Sequence, residues 1–218
     1  MLAEARQAPQ AVADQLAHNA DDYRDFGAVL RLQNPAAVLT VARGSSDHAA
    51  HFLAYLVMAR MGRLVTSLPM SLITLYQSQI ACKGLVSLAF SQSGQSPDLV
   101  APTRFFSEGG AVTAAFVNKA DSPLAQAAQW VFPLHAGIEA SVAATKSYIA
   151  QLVAGARVVA AWQGDPELQS ALSKLPDDLA RAGRRELDAD VEGLADPTDA
   201  QDLAAGVGDA VAELIVAR

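Results

Sequence analysis

Hydroxyl and amide side chains are concentrated in the segment Ser91–Ser96, which reads Ser-Gln-Ser-Gly-Gln-Ser and is followed by Pro97. Ser96 is a favourable N-cap and Pro97 suits the first helical position, so a helix is predicted to begin here. Its unpaired N–H groups and its dipole would attract an anion, and Gly94 would let the backbone approach a ligand closely. The segment therefore predicts a cradle for a phosphate monoester, and a serine-rich turn that only caps a helix is the alternative.

A second polar segment, Gly44-Ser45-Ser46, follows an apolar run and precedes a helical pattern. It offers two more hydroxyls at another helix N-terminus, and a plain strand-to-helix turn with a serine cap is the alternative. His48 begins that helix and is expected to line the same site. His51 is interpreted as an ordinary helix position, because a zinc site needs more ligands than these two histidines.

The segment His135–Lys146 leads from a polar loop that contains a glycine into a long apolar helix. Glu139 is a candidate general base, or a partner for a sugar hydroxyl, and Lys146 is a candidate cation for a phosphate or an enediolate. A carboxylate that serves a helix dipole and a solvated helix lysine are the plainer alternatives. We expect no metal and no organic cofactor.

Short apolar runs alternate with helical patterns along most of the chain. Five runs predict strands: Ala36–Ala42, Leu64–Leu68, Leu85–Phe90, Ala111–Val117 and Trp130–Leu134. Seven segments predict helices: Leu2–Asn19, Asp47–Met61, Met70–Ile80, Pro97–Ser107, Ser122–Ala128, Ser141–Trp162 and Pro166–Ala182. This alternation predicts an α/β fold, a three-layer αβα sandwich around a five-stranded parallel sheet. Ligands bind such sheets at the carboxyl ends of the strands, where the three polar segments fall.

Composition excludes several classes of protein. The chain has 218 residues, of which 51% are hydrophobic and 18% charged, so general disorder is excluded. A net charge of −7 argues against a nucleic-acid partner. The apolar stretch Tyr148–Trp162 is interrupted by Gln151 and Arg157 and is too short to span a membrane. The single cysteine, Cys82, excludes a disulfide framework and fits the cytoplasm, and no secretory signal is visible at the start.

Charge divides the chain into two parts. Residues 1–182 carry 14 acidic and 13 basic residues, whereas residues 183–218 carry nine acidic and three basic residues and no aromatic residue. We therefore predict one domain over residues 1–182 and an acidic, alanine-rich tail over residues 183–218 that has some helical character.

Three ordered motifs resemble the signatures of sugar isomerase (SIS) domains, whose fold is flavodoxin-like. The likeness is greatest to the first SIS half of glutamine–fructose-6-phosphate aminotransferases, and the two-SIS glucosamine-6-phosphate deaminases fit equally well. It covers residues 1 to about 182, and Met1, Glu4 and Pro9 match the start of that domain in part. The motifs are Gly44-Ser45-Ser46, Ser91-Gln92-Ser93-Gly94-Gln95-Ser96, and Ala136-Gly137-Ile138-Glu139 through Ala144-Thr145-Lys146.

The resemblance implies that a set of polar side chains binds the sugar phosphate: Ser45, Ser46, Ser91, Gln92, Ser93 and Ser96. It places the backbone of Val142 against the sugar, and we expect Gly44, Gly94, His48 and Lys146 to line the same site.

The chain also departs from the family pattern at several positions. Arg43 stands where the family has cysteine, and Gln95 and Ser96 replace glutamate and threonine. Ser96 keeps the hydroxyl, and the neutral Gln95 slightly favours an anion nearby. Ala144 replaces a serine, so one hydroxyl is lost.

The resemblance implies a phosphosugar-binding protein that acts on aminosugar or ketose 6-phosphates. The reaction would be proton transfer between C1 and C2, of the isomerase or deaminase type. The alternative is a non-catalytic phosphosugar-binding or sensor module, and a structural fragment without a ligand is a third hypothesis. A homodimer is expected because SIS domains usually pair.

Two parts of the related enzymes are expected to be absent from this chain. One is the glutaminase domain, and the other is the second SIS half, which carries the catalytic glutamate, a ring-opening histidine and a lysine-bearing tail. A truncated or frame-altered product, or a paralogue with one SIS half, is the corresponding hypothesis.

Overall fold

A five-stranded, all-parallel sheet forms the centre of the computed structural model, which describes residues 2–140 and 144–189. The strand order is β2-β1-β3-β4-β5, and Val38 of β1 pairs with Val86 of β3. The strands are β1 Ala37–Val41, β2 Leu64–Ser67, β3 Val86–Ser91, β4 Val112–Val117 and β5 Trp130–Pro133. The predicted α/β architecture is confirmed, because helices flank this sheet as expected.

Helices occupy most of the remaining described residues. They are α1 Leu2–Ala5, α2 Ala8–Leu16, α3 Ala20–Gln33, α4 Ser45–Met61, α5 Ser71–Thr74, α6 Pro97–Glu108, α7 Pro123–Ala127, α8 Lys146–Gln163 and α9 Pro166–Ala189.

Two apolar layers enclose the sheet because alternate residues of a strand point to opposite faces. Phe90 of β3 joins the core formed with α2, α3, α4, α8 and α9, whereas Ala89 joins the core formed with α6 and α7. On the first face, Phe90, Phe116 and Phe132 stack across three strands, with ring centroids 4.5 and 5.2 Å apart. This packing orders the strands whose carboxyl ends carry the polar loops.

The N-terminal prediction was wrong in two ways. The predicted helix Leu2–Asn19 is split, because the ring of Pro9 would clash with the carbonyl of Ala5 in a continuous helix. The helix α3 was not predicted. Its signal is the helical spacing of Tyr23, Phe26 and Leu30, which are all buried.

Three other helices differ from the prediction by more than two residues at a boundary. The predicted helix Met70–Ile80 is reduced to α5, and Gln77 takes a positive φ of 50°. Leu75 and Tyr76 are exposed and no residue of α5 is fully buried, so a longer helix here would gain little stability from packing. The predicted helix from Ser141 begins at Lys146 in the structure, and α9 extends past Ala182 to Ala189. Most of the predicted tail, residues 190–218, lies outside the described residues.

Close packing against two other helices places α8 over the sheet. A Cβ on Gly155 would lie 3.3 Å from the Cβ of Leu53 in α4, and a Cβ on Gly27 of α3 would lie 2.4 Å from the carbonyl oxygen of Ala161. Within the part of the chain that the structure describes, no helix is long and apolar enough to cross a membrane.

Replacing Gly27 with alanine is expected to destabilise the protein, because the added methyl group would displace backbone atoms of α8. Overpacking of this kind costs about 1–3 kcal/mol. Gly183 lies within α9 and has open space around a Cβ, so Gly183→Ala is a matched helical control that should be neutral or slightly stabilising. Chemical denaturation of both variants measures the difference. Equal unfolding free energies would contradict the close α3–α8 contact.

Candidate functional site

The loop after β3 is held by its own hydrogen bonds in the form of a cradle. The Ser91 hydroxyl accepts from the Gly94 N–H at 3.0 Å, and the Gly94 carbonyl accepts from the Leu124 N–H at 3.1 Å. Gly94 has a φ of 64°, and a Cβ there would lie 2.2 Å from the Ser122 Oγ. Both conditions require glycine at this position. The sequence predicts that Gly94 lets a ligand approach the backbone closely. In the structure, the group that approaches Gly94 closely is the Ser122 side chain of the protein itself.

The polar side chains of this cradle differ in how they are used. Ser93 is exposed, and its Oγ accepts from the Gln95 N–H at 3.4 Å. Ser96 takes the extended conformation of an N-cap, but its hydroxyl makes no capping hydrogen bond to α6. The Ser96 hydroxyl is therefore available to a ligand. Gln92 is half-buried, and its carbonyl accepts from the Asn118 N–H at 3.1 Å.

The loop after β1 lies beside this cradle, because β1 pairs directly with β3. Gly44 takes a positive φ of 58° immediately before α4. Ser45 and His48 are exposed in the first turn of α4, and Ser46 is buried.

Arg43, in the loop after β1, and His51 of α4 make contacts that the sequence did not predict. Arg43 forms an ion pair with Asp98 in the first turn of α6, which joins the two polar loops directly. In the sequence, Arg43 stands out only as a departure from the family pattern. Its partner across the sheet edge could not be read from the sequence. His51 is exposed, and its Nδ1 lies 2.8 Å from the Asp47 carbonyl oxygen of its own helix.

Glu139 lies in the loop after β5, where its carboxylate interacts with the first turn of α8. Its oxygens accept hydrogen bonds from the Thr145 N–H at 2.8 Å, the Thr145 hydroxyl at 3.3 Å and the Ser147 N–H at 3.3 Å, and also from the Ser147 hydroxyl. A carboxylate in this place satisfies N–H groups at the helix N-terminus and complements its dipole. The plainer alternative for Glu139 therefore has direct geometric support.

Two polar side chains at the same end of the fold were not predicted as part of the site. Asn118 follows β4 and holds the next loop, since it accepts from the Ala136 N–H at 2.9 Å and donates to the Gly137 carbonyl at 2.7 Å. Its signal is its position, a polar residue directly after a buried strand. Gln151 was noted only as an interruption of an apolar stretch, but its amide donates to the Ser46 Oγ at 3.0 Å.

Lys146 is buried at the start of α8 instead of being a solvated helix residue. It is 5% exposed, and its ammonium group donates to Gln7 Oε1 at 2.7 Å. Val142 lies outside the described residues, so its predicted contact with the sugar stays a prediction. No group of three or more possible metal-ligating residues occurs in the described ranges 2–140 and 144–189.

A groove of about 390 Å³ lies at the opposite edge of the sheet, lined by Arg31, Asn34, Arg60, Met61, Arg63, Trp162 and Gln163. There α3, α4 and α8 end, and their terminal carbonyls carry partial negative charge. Arg31 donates to the Trp162 carbonyl at 3.1 Å, and Arg60 donates to the Gln163 side chain at 2.8 Å. The Arg31 guanidinium group therefore serves the carbonyl end of α8, whereas Arg60 bonds to the side chains of Gln163 and Asp165.

Comparison with known proteins identifies relatives of the chain. Residues 31–161 match the SIS domain family. Glutamine–fructose-6-phosphate aminotransferase of Methanothermobacter thermautotrophicus is 32% identical over 182 residues, which is 84% of this chain and 30% of that protein. The chain thus spans less than a third of the length of this curated relative.

Solved structures extend the comparison. A candidate phosphosugar isomerase from Silicibacter pomeroyi is 43% identical with a TM-score of 0.82, over 84% of this chain and 56% of that chain. The C-terminal domain of glucosamine-fructose-6-phosphate aminotransferase from Francisella tularensis has a TM-score of 0.70 at 23% identity, over 85% of this chain and 55% of that chain. This second likeness shows the fold alone.

Acid is expected to destabilise the loop after β5 through His135. Its ring stacks on His18 with centroids 4.4 Å apart, and its Nε2 lies 3.0 Å from Asn19 Oδ1. Burial lowers the pKa of His135, as do the charges of His18 and Arg157, while Asp14 acts in the opposite direction. The unfolded chain therefore takes up this proton more readily, so stability is full above about pH 6.5 and declines as the pH falls below it.

Melting temperatures at about pH 7.5 and about pH 5.5 test this expectation. His135→Asn serves as the comparison, because asparagine tolerates the positive φ of 53° and does not titrate. The variant should lose less stability on acidification than the wild-type protein. An identical loss in both proteins would assign the pH dependence to other groups.

Proposed function

The chain belongs to the SIS domain family, and on this basis we propose that it binds a phosphosugar at the carboxyl edge of its sheet. The observation that carries the proposal is the position of two serine-rich loops on adjacent parallel strands, each leading into a helix. Both α4 and α6 direct their N-termini to this edge, where backbone N–H groups and the helix dipoles favour an anion.

The phosphate is proposed to lie between these two helix N-termini. Ser45 and Ser46 contribute from α4, while Ser91, Gln92, Ser93 and Ser96 contribute from the loop after β3. Gly44, Gly94, His48, Lys146 and Val142 are proposed to line the sugar. Arg43 supports the proposal electrostatically, because its guanidinium group neutralises Asp98 at the mouth of the cradle.

The ligand class we propose is an aminosugar or ketose 6-phosphate. Its support is the relatedness to aminotransferases whose names include fructose 6-phosphate, and to the candidate phosphosugar isomerase from Silicibacter pomeroyi. A second copy of the chain is proposed as the partner, and exposed Tyr55, Met58 and Leu64 offer apolar surface for pairing. Cytoplasmic location stays a prediction.

Catalysis is the second candidate function, favoured by the 43% identity to a candidate phosphosugar isomerase. Proton transfer between C1 and C2 needs a base, for which Glu139 is the proposed residue. Three of its four hydrogen bonds fall on Oε1, whereas Oε2 accepts only from the Ser147 hydroxyl and keeps one acceptor site. Glu139 would act as a base through Oε2, but its carboxylate already serves the N-terminus of α8, so binding without turnover is the better supported function.

Glucosamine 6-phosphate or fructose 6-phosphate is expected to raise the melting temperature. At about 100 times its Kd a ligand stabilises the native state by about 2.7 kcal/mol, which corresponds to about 5–10 °C for a chain of this size. Ser96→Ala should weaken binding about tenfold with little change in stability, because its hydroxyl makes no capping bond. Ser170→Ala, on the exposed side of α9, is the control. No shift with either sugar or with inorganic phosphate would refute the proposal.

Glu139→Gln separates the two candidate functions. The variant should keep the Kd for the sugar phosphate and lose about 1 kcal/mol of stability, because the charge at the α8 N-terminus is removed. Turnover by the wild-type protein that disappears in the variant would support catalysis by Glu139. Isomerisation and ammonia release are measured with both sugars. Turnover that persists in Glu139→Gln would exclude this residue as the base.

A further inference from the structure

Gln151 is a polar side chain in the interior of the fold, one turn along α8 from Ser147. It is 1% exposed, and its Nε2 donates to the Ser46 Oγ at 3.0 Å. Its Oε1 is buried and has no hydrogen-bond partner among the described residues. Buried polar atoms are normally paired, so an amide that uses only its donor side here calls for an explanation.

The contact with Gln151 determines what the Ser46 hydroxyl can do. A serine hydroxyl has one proton to donate and two lone pairs that accept. The amide of Gln151 occupies a lone pair, and no acceptor for the Ser46 proton is found within the described residues. Ser46 lies in the first turn of α4, at the edge where the phosphate is proposed to bind. Its proton is therefore free to be donated to an anion at that edge.

We propose that Gln151 is a positioning residue for the phosphosugar site, and that it directs the Ser46 hydroxyl proton toward the bound phosphate. The inference rests on the proposed function, and it adds to the proposed site a buried residue that supports Ser46. Gln151 does not touch the phosphate itself. The unpartnered Oε1 of Gln151 fits this role. If Oε1 instead accepted the Ser46 proton, that proton would point into the protein and away from the phosphate.

A second buried glutamine provides a matched control. Gln15 of α2 is 0% exposed, donates through Nε2 to the Ala150 carbonyl at 2.9 Å, and also has an unpartnered Oε1. Gln15 is as buried as Gln151, its amide likewise donates one hydrogen bond and accepts none, and it also contacts α8. It donates to a backbone carbonyl instead of a serine of the proposed site. A merely structural effect of losing a buried amide should therefore be shared by both residues.

The test measures Kd for glucosamine 6-phosphate and for inorganic phosphate with the full chain. Gln151→Leu should raise both Kd values about tenfold, and Gln15→Leu should leave them unchanged although both variants melt earlier. Gln151→Glu should weaken binding further, because a carboxylate accepts the Ser46 proton and adds negative charge. If Gln151→Leu does not fold, Gln151→Met replaces it, since methionine has a similar length and adapts to its surroundings.

A double-mutant cycle with Ser46→Ala shows whether Gln151 acts through this hydroxyl. Ser46→Ala with Gln151→Leu should bind no more weakly than Ser46→Ala alone, because the hydroxyl that Gln151 orients is already gone. Additive losses, or equal Kd changes in Gln151→Leu and Gln15→Leu, would overturn the inference while leaving phosphosugar binding intact. A wild-type protein that binds neither ligand would instead refute the proposed function.

Discussion

The burial of α8 on all sides is the constraint on which the rest of the structure depends. Of its 18 residues, 15 are buried, and small residues let α3 and α4 approach it closely. A buried helix needs partners for its polar side chains, and it finds them in other elements. Lys146 donates to the Gln7 side chain, and Gln151 donates to the Ser46 hydroxyl. Arg157 donates to the carbonyls of Gln15 and His18. The same contacts fix the N-terminal helices and the first turn of α4.

The two edges of the sheet differ in electrostatic character, and the difference follows from the parallel topology. Every strand-to-helix crossover begins at the carboxyl edge, so the helices that follow β1 and β3 present their N–H groups there. At the opposite edge the helices end in carbonyls, and Arg31 compensates for those of Ala161 and Trp162 at the end of α8. An anionic ligand is therefore favoured at one edge only, the edge that also carries the serine-rich loops.

Glu139 illustrates how one residue type fits two roles. A carboxylate in a strand-end loop suits a general base, but the same carboxylate satisfies the N–H groups of Thr145 and Ser147 and so defines where α8 begins. The spacing of residues in the sequence is compatible with both roles. The four donors directed at the carboxylate decide which role the structure itself supports, and they favour the helix cap.

The sequence by itself determined the five strands, the parallel α/β fold and the serine-rich loops, because buried strands, caps and glycines leave local patterns. It did not reveal the contacts of Gln151 with Ser46 and of Arg43 with Asp98, which join residues 105 and 55 positions apart. Nor did it show that Lys146 is buried. Only the tertiary structure decided these points, because partners and burial depend on how helices pack across the sheet and not on neighbours along the chain.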